Sequence, residues 1–250
     1  MIRAIKAERL KLKRKHIQLM FLAAFFVSAA WIGYCVYDMD MSRLNYMPAM
    51  ITMNFLIMNT ILSPIIIAAL ASRISDVELS GGTYKWIACM QSPESIIYSK
   101  IITGVFQIFV YAAAQSIFLY IVCLMYGVLP WYKVLQFFIA VFFTFFEIFI
   151  FQLNLSLWSQ SQLTPLFIGI AGTFAGIFSW FLPQIPLRFV IPWGYFAALC
   201  NIGMNYDSVS RFAQYYYTKF PVLWLIVLIA AIILGLAAIL KKFKNKIKNL

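Results

Sequence analysis

Six stretches of the chain are long, apolar and nearly free of Lys, Arg, Asp and Glu. A helix that crosses a bilayer needs about 20 mostly apolar residues, and each stretch has roughly that length. The predicted spans one to six cover residues 17–37, 50–71, 101–128, 134–158, 165–182 and 221–240. The pattern therefore predicts an all-α integral membrane protein, with one six-span domain over residues 17–240 and a short tail over 241–250.

Residues 1–16 combine apolar and basic positions ahead of span one. Ile2, Ile5 and Leu12 fall within about 80° of one another on a helical wheel. This spacing predicts a basic amphipathic helix that lies on the membrane surface. A disordered basic tail is the alternative.

The start of the chain also has some features of a cleavable signal peptide. Val27, Ser28 and Ala29 resemble the small residues of a cleavage site after an apolar run. The basic region ahead of the run is long, however, and the run continues to Val36. We therefore expect span one to be retained.

The connection between spans two and three, residues 72–100, is called the second connection below. Gly81 and Gly82 interrupt any continuous helix, and Thr83 can cap a short helix after them. Pro93 suits the first turn of another helix, which continues into span three. Two short helices at the membrane surface make a platform for another protein.

The connection between spans five and six, residues 183–220, is called the fifth connection below. It begins with apolar and aromatic residues, but Pro183, Pro186, Pro192 and Gly194 interrupt them. It is therefore expected to form short re-entrant or interfacial helices whose backbone is shielded by protein. A seventh span in this region is the alternative.

Charge assigns the two sides of the membrane. The chain is only 11% charged, and it has 20 Lys and Arg against 8 Asp and Glu. The basic residues cluster in 3–15 and 241–248. Because basic residues favour the cytoplasmic side, both termini and the second connection are predicted to be cytoplasmic, and the fifth connection to lie outside. Topology and contact with anionic lipid explain the basic ends better than binding to nucleic acid.

The sequence contains no motif for catalysis or metal binding. It lacks a GxxxxGK[ST] phosphate loop, a GxSxG elbow and an HExxH helix. Its four cysteines form no CxxC pair, and His16 is the only histidine. No catalytic residue and no metal ligand is therefore predicted, and any ATP must be hydrolysed by another chain.

Glu147 is the one acid well inside a predicted span. A carboxylate in hydrocarbon is costly unless it is paired, hydrated or protonated. Thr144, Glu147 and Asn154 share one helical face. Glu147 could therefore line a translocation path, or it could be a protonated carboxyl that hydrogen-bonds a neighbouring helix.

Three other spans carry polar or small-residue patterns. In span two, Thr52, Asn59 and Ser63 project within about 40° of one another, so they can line a path or join helices. Gly172 and Gly176 in span five form a GxxxG step, which lets two helix backbones approach closely. A stripe on span three consists of Thr103, Gln107, Tyr111 and Gln115.

These elements, in this order, resemble those of the type-two ABC permeases, and within them the small permeases of lantibiotic self-immunity and bacitracin-type resistance. The basic amphipathic start, six spans, two-helix second connection and re-entrant fifth connection are shared across the chain. The local motif of that family is an acid, a Gly-Thr or aromatic-Lys step, a Pro and a closing Lys. The matching residues here are Glu78, Gly82, Thr83, Lys85, Trp86, Pro93 and Lys100.

The resemblance implies that the second connection contains a coupling helix, over residues 78–90, that docks on a separate ATPase. Tyr84 belongs to the same helix. ATP and Mg²⁺ would be bound by that partner, of which a transporter holds two copies. Gly81 and residues 89–91 depart from the usual leucine-rich stretch, which leaves the length of the coupling helix open.

Permeases of this family work in pairs, so the resemblance also implies a second permease, identical or homologous, in the bacterial plasma membrane. A path between the two would be lined by spans two and five, and thus by Asn59, Ser63 and the Gly172–Gly176 face. The expected function is export of an amphipathic antimicrobial peptide or related antibiotic from the membrane. The alternatives are a permease for another small molecule, drug or lipid, and a membrane scaffold or channel without an ATPase.

Overall fold

The computed structural model describes residues 2–13, 15–37, 47–79, 92–126, 129–159, 161–182, 184–207 and 212–248. A 3-10 turn, Pro192–Gly194, and two strands, β1 (Ile202–Asp207) and β2 (Phe212–Tyr217), lie in the fifth connection. The helices are α1 (Ile2–Lys13), α2 (Ile17–Tyr37), α3 (Met47–Leu79), α4 (Pro93–Tyr126), α5 (Trp131–Ser159), α6 (Leu163–Phe181), α7 (Leu187–Val190), α8 (Tyr195–Ala198) and α9 (Val222–Lys248).

Six of these helices are long and apolar enough to cross a membrane. They are α2, α3, α4, α5, α6 and α9, and they are called spans one to six below. Helices α7 and α8 extend only about 6 Å each, too short for a hydrocarbon core of about 30 Å. The predicted six-span, all-α membrane fold is therefore confirmed, and the described part of the fifth connection contains no seventh span.

Spans two and three extend further into the second connection than hydropathy predicts. Span two continues to Leu79, and span three begins at Pro93. No Gly or Pro interrupts residues 72–79, so the helix continues beyond its apolar part. The Ser92 hydroxyl accepts a hydrogen bond from the Ser95 amide over 3.4 Å, which caps the start of span three.

Span two lies at the centre of the bundle. Within its most apolar window 72% of the residues are buried, against 28% for span one and 17% for span six. It packs against spans one, three, four and five. Phe55 is fully buried there and contacts the rings of Phe118 in span three and Phe137 in span four. Span six lies at the periphery of the bundle.

Helix α1 packs along the start of span three. Leu12 is buried in this contact, as its place on the apolar face predicts, and Ala4 and Glu8 are buried with it. His16 has a φ of 51°, in the left-handed region, where the chain turns from α1 into span one. Residues 2–13 are therefore helical, and the position of this helix on the membrane surface stays a prediction.

The fifth connection differs from its prediction in its second half. The first half forms the short helices α7 and α8, as expected. The second half is an antiparallel hairpin in which Ile202 pairs with Tyr217 and Asp207 pairs with Phe212. The prediction of short helices was incomplete because a hydropathy window of membrane length averages over two six-residue runs. The aromatic residues of 212–217 were the signal for a strand.

Candidate functional site

The fifth connection reaches the middle of the membrane domain through Trp193. A Cβ atom added at Gly172 would overlap the indole ring of Trp193, so the ring lies directly on the backbone of span five. Gly172 is midway along this span, about 14 Å from each end. Phe151 of span four packs edge-on against the same indole, with 5.3 Å between ring centroids. The connection therefore enters the bundle and leaves it again on the same side.

The rest of the small-residue face of span five packs on span two of the same chain. A Cβ atom added at Gly176 would lie 2.8 Å from Cγ2 of Thr60. Thr173 donates a hydrogen bond to the carbonyl of Ile61 over 3.2 Å, and the Trp180 indole donates one to the Thr60 hydroxyl over 3.0 Å. These contacts let the two backbones approach closely. Span two is thus one occupant of the GxxxG face.

Glu147 lies beside the re-entrant part of the fifth connection, near the middle of span four. Its Oε2 atom is buried and has no hydrogen-bond partner among the described residues. Burial raises the pKa of Tyr195, two positions after Trp193, and the Glu147 carboxyl nearby raises it further. A buried carboxyl oxygen without a donor is costly unless a proton, water or another molecule meets it, and a role for Glu147 in lining a path stays a prediction.

Other buried polar atoms also lack a partner within the described part of the chain. They include Ser63 Oγ, Trp193 Nε1 and both amide atoms of Gln152, whose side chain is fully buried. An atom of this kind is costly unless water or another molecule meets it. Sequence reasoning selected Ser63 but missed Gln152 and Trp193. An amide inside an apolar run, the signal that selected Asn59, would have found Gln152.

Asn59 is engaged within the chain. Its Nδ2 donates to Oε1 of Gln115 over 3.1 Å, and Nε2 of Gln115 donates to Oδ1 of Asn59 over 2.9 Å. Both side chains are fully buried. Tyr111, one turn before Gln115, packs on the ring of Phe21 in span one, with 5.0 Å between ring centroids. The cluster joins spans one, two and three, and a role for Asn59 in lining a path stays a prediction.

Thr52 joins the hairpin to the start of span two. Its hydroxyl, the Tyr217 hydroxyl and the Pro48 carbonyl lie within 2.7, 2.8 and 2.9 Å of one another. Burial raises the pKa of Tyr217 above its ordinary value, although the hydrogen bond with Thr52 opposes this. Asn201, just before β1, donates to Gln136 of span four over 2.8 Å. The hairpin therefore contacts both the start of span two and the start of span four.

Lys100 joins three helices at the opposite side of the membrane domain. Its side chain is fully buried, and its ammonium donates a hydrogen bond to the Ile74 carbonyl of span two over 2.8 Å. The same nitrogen lies 3.6 Å from Glu8 Oε2 of α1, and Lys11 Nζ lies 2.6 Å from Glu8 Oε1. A buried ammonium is tolerated only with such partners. Lys100 thus connects α1 to both ends of the second connection.

A second contact holds the turn after α1 to span two. Arg73 donates a hydrogen bond from its guanidinium to the carbonyl of Lys15. Arg73 is one residue before Ile74, which accepts from Lys100. The end of span two therefore contacts both α1, through Lys100, and the chain that leads into span one.

The sequence of this core matches a known family over most of its length. Residues 4–176 match the family described as ABC-2 family transporter protein, from α1 to Gly176 in span five. The chain belongs to the ABC-2 transporter family. Comparison with curated proteins and with solved structures gave no match.

The ABC-2 family defines the role of the protein at a coarse level. It is the permease subunit of an ABC transporter, a multi-pass membrane component that works with an ABC ATPase subunit. The matched region includes Lys100, Asn59, Glu147 and Gly172, but it ends before Trp193. The fifth connection is therefore a part of this permease that the family comparison does not describe.

The structure describes few of the side chains that the resemblance assigns to ATPase coupling. Glu78 lies in the last turn of span two, and Pro93 is the first residue of span three, but their side chains are outside the described set. Lys100 is buried, so it can position the second connection but presents no surface to a partner. The other five residues assigned to ATPase coupling lie outside the described ranges. They are Gly82, Thr83, Tyr84, Lys85 and Trp86.

Proposed function

We propose that this permease, driven by a separate ATPase, expels an amphipathic antimicrobial peptide or related antibiotic from the membrane of a bacterium. Glu147 is the observation that carries the proposal. Its unpartnered carboxylate oxygen lies near the Trp193 turn within an apolar interior. A buried acid in an apolar interior suits a substrate that has both cationic and apolar parts.

The packing around Trp193 suggests how the site opens. The indole rests on Gly172 of span five and against the ring of Phe151 in span four. A shift of span five against span four would change the space available to this ring. Because Tyr195 follows Trp193 closely and lies near Glu147, the same shift would alter the surroundings of this carboxyl group. The re-entrant turn would then gate access to Glu147.

The second connection would receive the force from the ATPase. In this proposal the partner binds ATP and Mg²⁺ and docks on residues 78–90, where the coupling helix is expected. The helices that enter and leave the connection are spans two and three themselves. Lys100 links these spans to each other and to Glu8 of α1, so movement of the connection would move three helices together.

The proposed assembly contains two permeases, identical or homologous, and two ATPases. Basic residues at both ends of the chain support a cytoplasmic position for α1, the second connection and the carboxyl terminus. The GxxxG face contacts span two and Trp193 of its own chain. A second permease would therefore meet a different face of span five, where Phe167, Phe174 and Phe178 are exposed.

Peptide-stimulated ATP hydrolysis tests the proposal. The permease is purified together with its ATPase, reconstituted in liposomes and assayed with and without nisin, a cationic amphipathic peptide. We expect stimulation of the wild type and its loss in Trp86→Ala. Trp131→Ala is the matched control, because Trp131 is an exposed indole at the start of span four and is not part of the second connection.

The outcomes separate the parts of the proposal. Failure of an ATPase to copurify would favour a scaffold or channel. A wild-type complex that hydrolyses ATP but ignores the peptide would reject the substrate class. Full stimulation of Trp86→Ala would move the docking site away from the second connection, whereas equal loss in Trp131→Ala would show a general effect of removing an indole.

A further inference from the structure

A groove runs between α1 and span one on one side and span three on the other. It consists of two cavities, of about 510 Å³ and about 360 Å³. Both are lined by Gln18 of span one and by Phe106 and Gln107 of span three, so the two cavities adjoin. The groove is separate from Glu147 and from the Trp193 turn, which lie against spans four and five.

The cavity nearer to α1 is lined by both apolar and polar side chains. The polar ones are Arg9, His16, Gln18 and Gln107. The guanidinium of Arg9 lies 4.3 Å from the centroid of the Phe106 ring, which holds this cation at the mouth of the groove. A planar guanidinium with several N–H donors matches the oxygen atoms of a phosphate. Two glutamine amides beside it can donate to further oxygen atoms.

The other cavity is apolar. Phe21, Leu22 and Phe25 of span one face Val110 and Ala114 of span three across it. From Gln107 to the far end of this lining, span three rises about 10 Å. That is roughly a third of a hydrocarbon core of about 30 Å. The groove therefore begins at a cation near the membrane surface and continues into the depth that acyl chains occupy.

We propose that this groove binds one phospholipid with an anionic headgroup, with its phosphate at Arg9 and an acyl chain between spans one and three. Charge selects this occupant. Residues 3–15 contain seven Lys and Arg, which attract an anionic lipid and repel a cationic peptide. The lipid would brace α1 against span three on the side away from the Lys100 and Glu8 contact. The proposal is independent of what the permease exports.

Native mass spectrometry of the full chain, released from detergent micelles, tests the headgroup contact. Phosphatidylglycerol is compared with phosphatidylcholine of the same acyl chains. We expect one tightly bound phosphatidylglycerol in the wild type and about fivefold weaker binding in Arg9→Gln. Lys242→Gln is the matched control, since Lys242 also lies over an aromatic ring, the indole of Trp158, with 5.5 Å from its ammonium to the ring centroid, but is outside the groove.

Variants that fill the apolar cavity test the acyl contact. Val110→Trp and Ala114→Phe are each expected to weaken binding of phosphatidylglycerol at least as much as Arg9→Gln does. Val227→Trp in span six, where Val227 is also exposed to lipid, is expected to leave it unchanged. Two filling variants are used so that a folding defect in one of them does not decide the result.

Four results would overturn the proposal. Equal binding of phosphatidylcholine by the wild type would remove the anionic preference. Equal losses in Arg9→Gln and Lys242→Gln would reduce the effect to general attraction by basic residues. Unaltered binding in both filling variants would place the lipid elsewhere. Displacement of the bound lipid by added melittin, a cationic amphipathic peptide, would instead assign the groove to peptide and reject a lipid site.

Discussion

Asn59 of span two and Gln115 of span three form a closed pair of hydrogen bonds, in which each amide both donates and accepts. Neither side chain has access to solvent. Glu147 differs, because its Oε2 atom is buried without a partner among the described residues. The two positions were selected by the same sequence signal, a polar side chain within an apolar span. Their surroundings predict opposite effects of mutation.

Replacement of Asn59 is expected to lower stability. Asn59→Leu leaves Gln115 unpaired in the interior, which should reduce the free energy of unfolding by about 1–3 kcal/mol. The double variant Asn59→Leu/Gln115→Leu should recover much of this loss, because no buried amide remains unpaired. The wild type, Asn59→Leu, Gln115→Leu and the double variant are unfolded in one detergent, and the four free energies of unfolding give the coupling energy. Strictly additive losses would contradict the pairing.

Replacement of Glu147 is expected to affect transport instead. Glu147→Gln removes the charge but keeps the size, so the melting temperature should stay within about 2 °C of the wild type. Nisin-stimulated ATP hydrolysis should fall several-fold, because the proposed site loses its carboxylate. Both quantities are measured on the same assembled complex. Full stimulation in Glu147→Gln, with a loss of stability in Glu147→Leu, would show that the residue is structural.

Lys100 is expected to be among the most sensitive positions for stability. Lys100→Met leaves Glu8 buried without this partner and should cost about 3–5 kcal/mol. Lys11→Met is the control, because Lys11 pairs with the same carboxylate but is partly exposed, so its loss should cost under about 1 kcal/mol. The double variant Glu8→Leu/Lys100→Met should be more stable than Lys100→Met alone. Thermal unfolding of the purified permease measures all three.

Replacement of Gly172 tests the contact between span five and Trp193 of the re-entrant turn. Gly172→Ala places a methyl group against the Trp193 indole, so the turn must shift, and stability should fall by about 1–3 kcal/mol. Gly33→Ala is the control, since nothing lies within 4 Å of a Cβ there and alanine favours a helix. The fluorescence spectra of the variants are compared in a background in which Trp193 is the only tryptophan. An unperturbed spectrum and melting temperature in Gly172→Ala would contradict the contact.

The six spans and the helical start of span three could be predicted from the sequence alone. Entry of a segment into a bilayer depends on its own length and hydrophobicity, which are local properties of the chain. The cap at Ser92 and Pro93 is local in the same way. The polar positions inside spans could also be found locally, as Asn59 and Glu147 were, because any polar side chain stands out in an apolar run.

Which polar groups contact one another could not be predicted from the sequence, because helix packing sets these contacts. Asn59 and Gln115 are 56 residues apart, and no periodicity within either span specifies that the two faces touch. The same holds for Glu8 and Lys100, where an acid on a basic surface helix becomes the partner of a buried ammonium. Whether a polar side chain joins helices or remains open to a substrate depends on the side chain opposite it. That neighbour is set by helix packing and by the course of the fifth connection, both of which arise from contacts between segments distant in the chain.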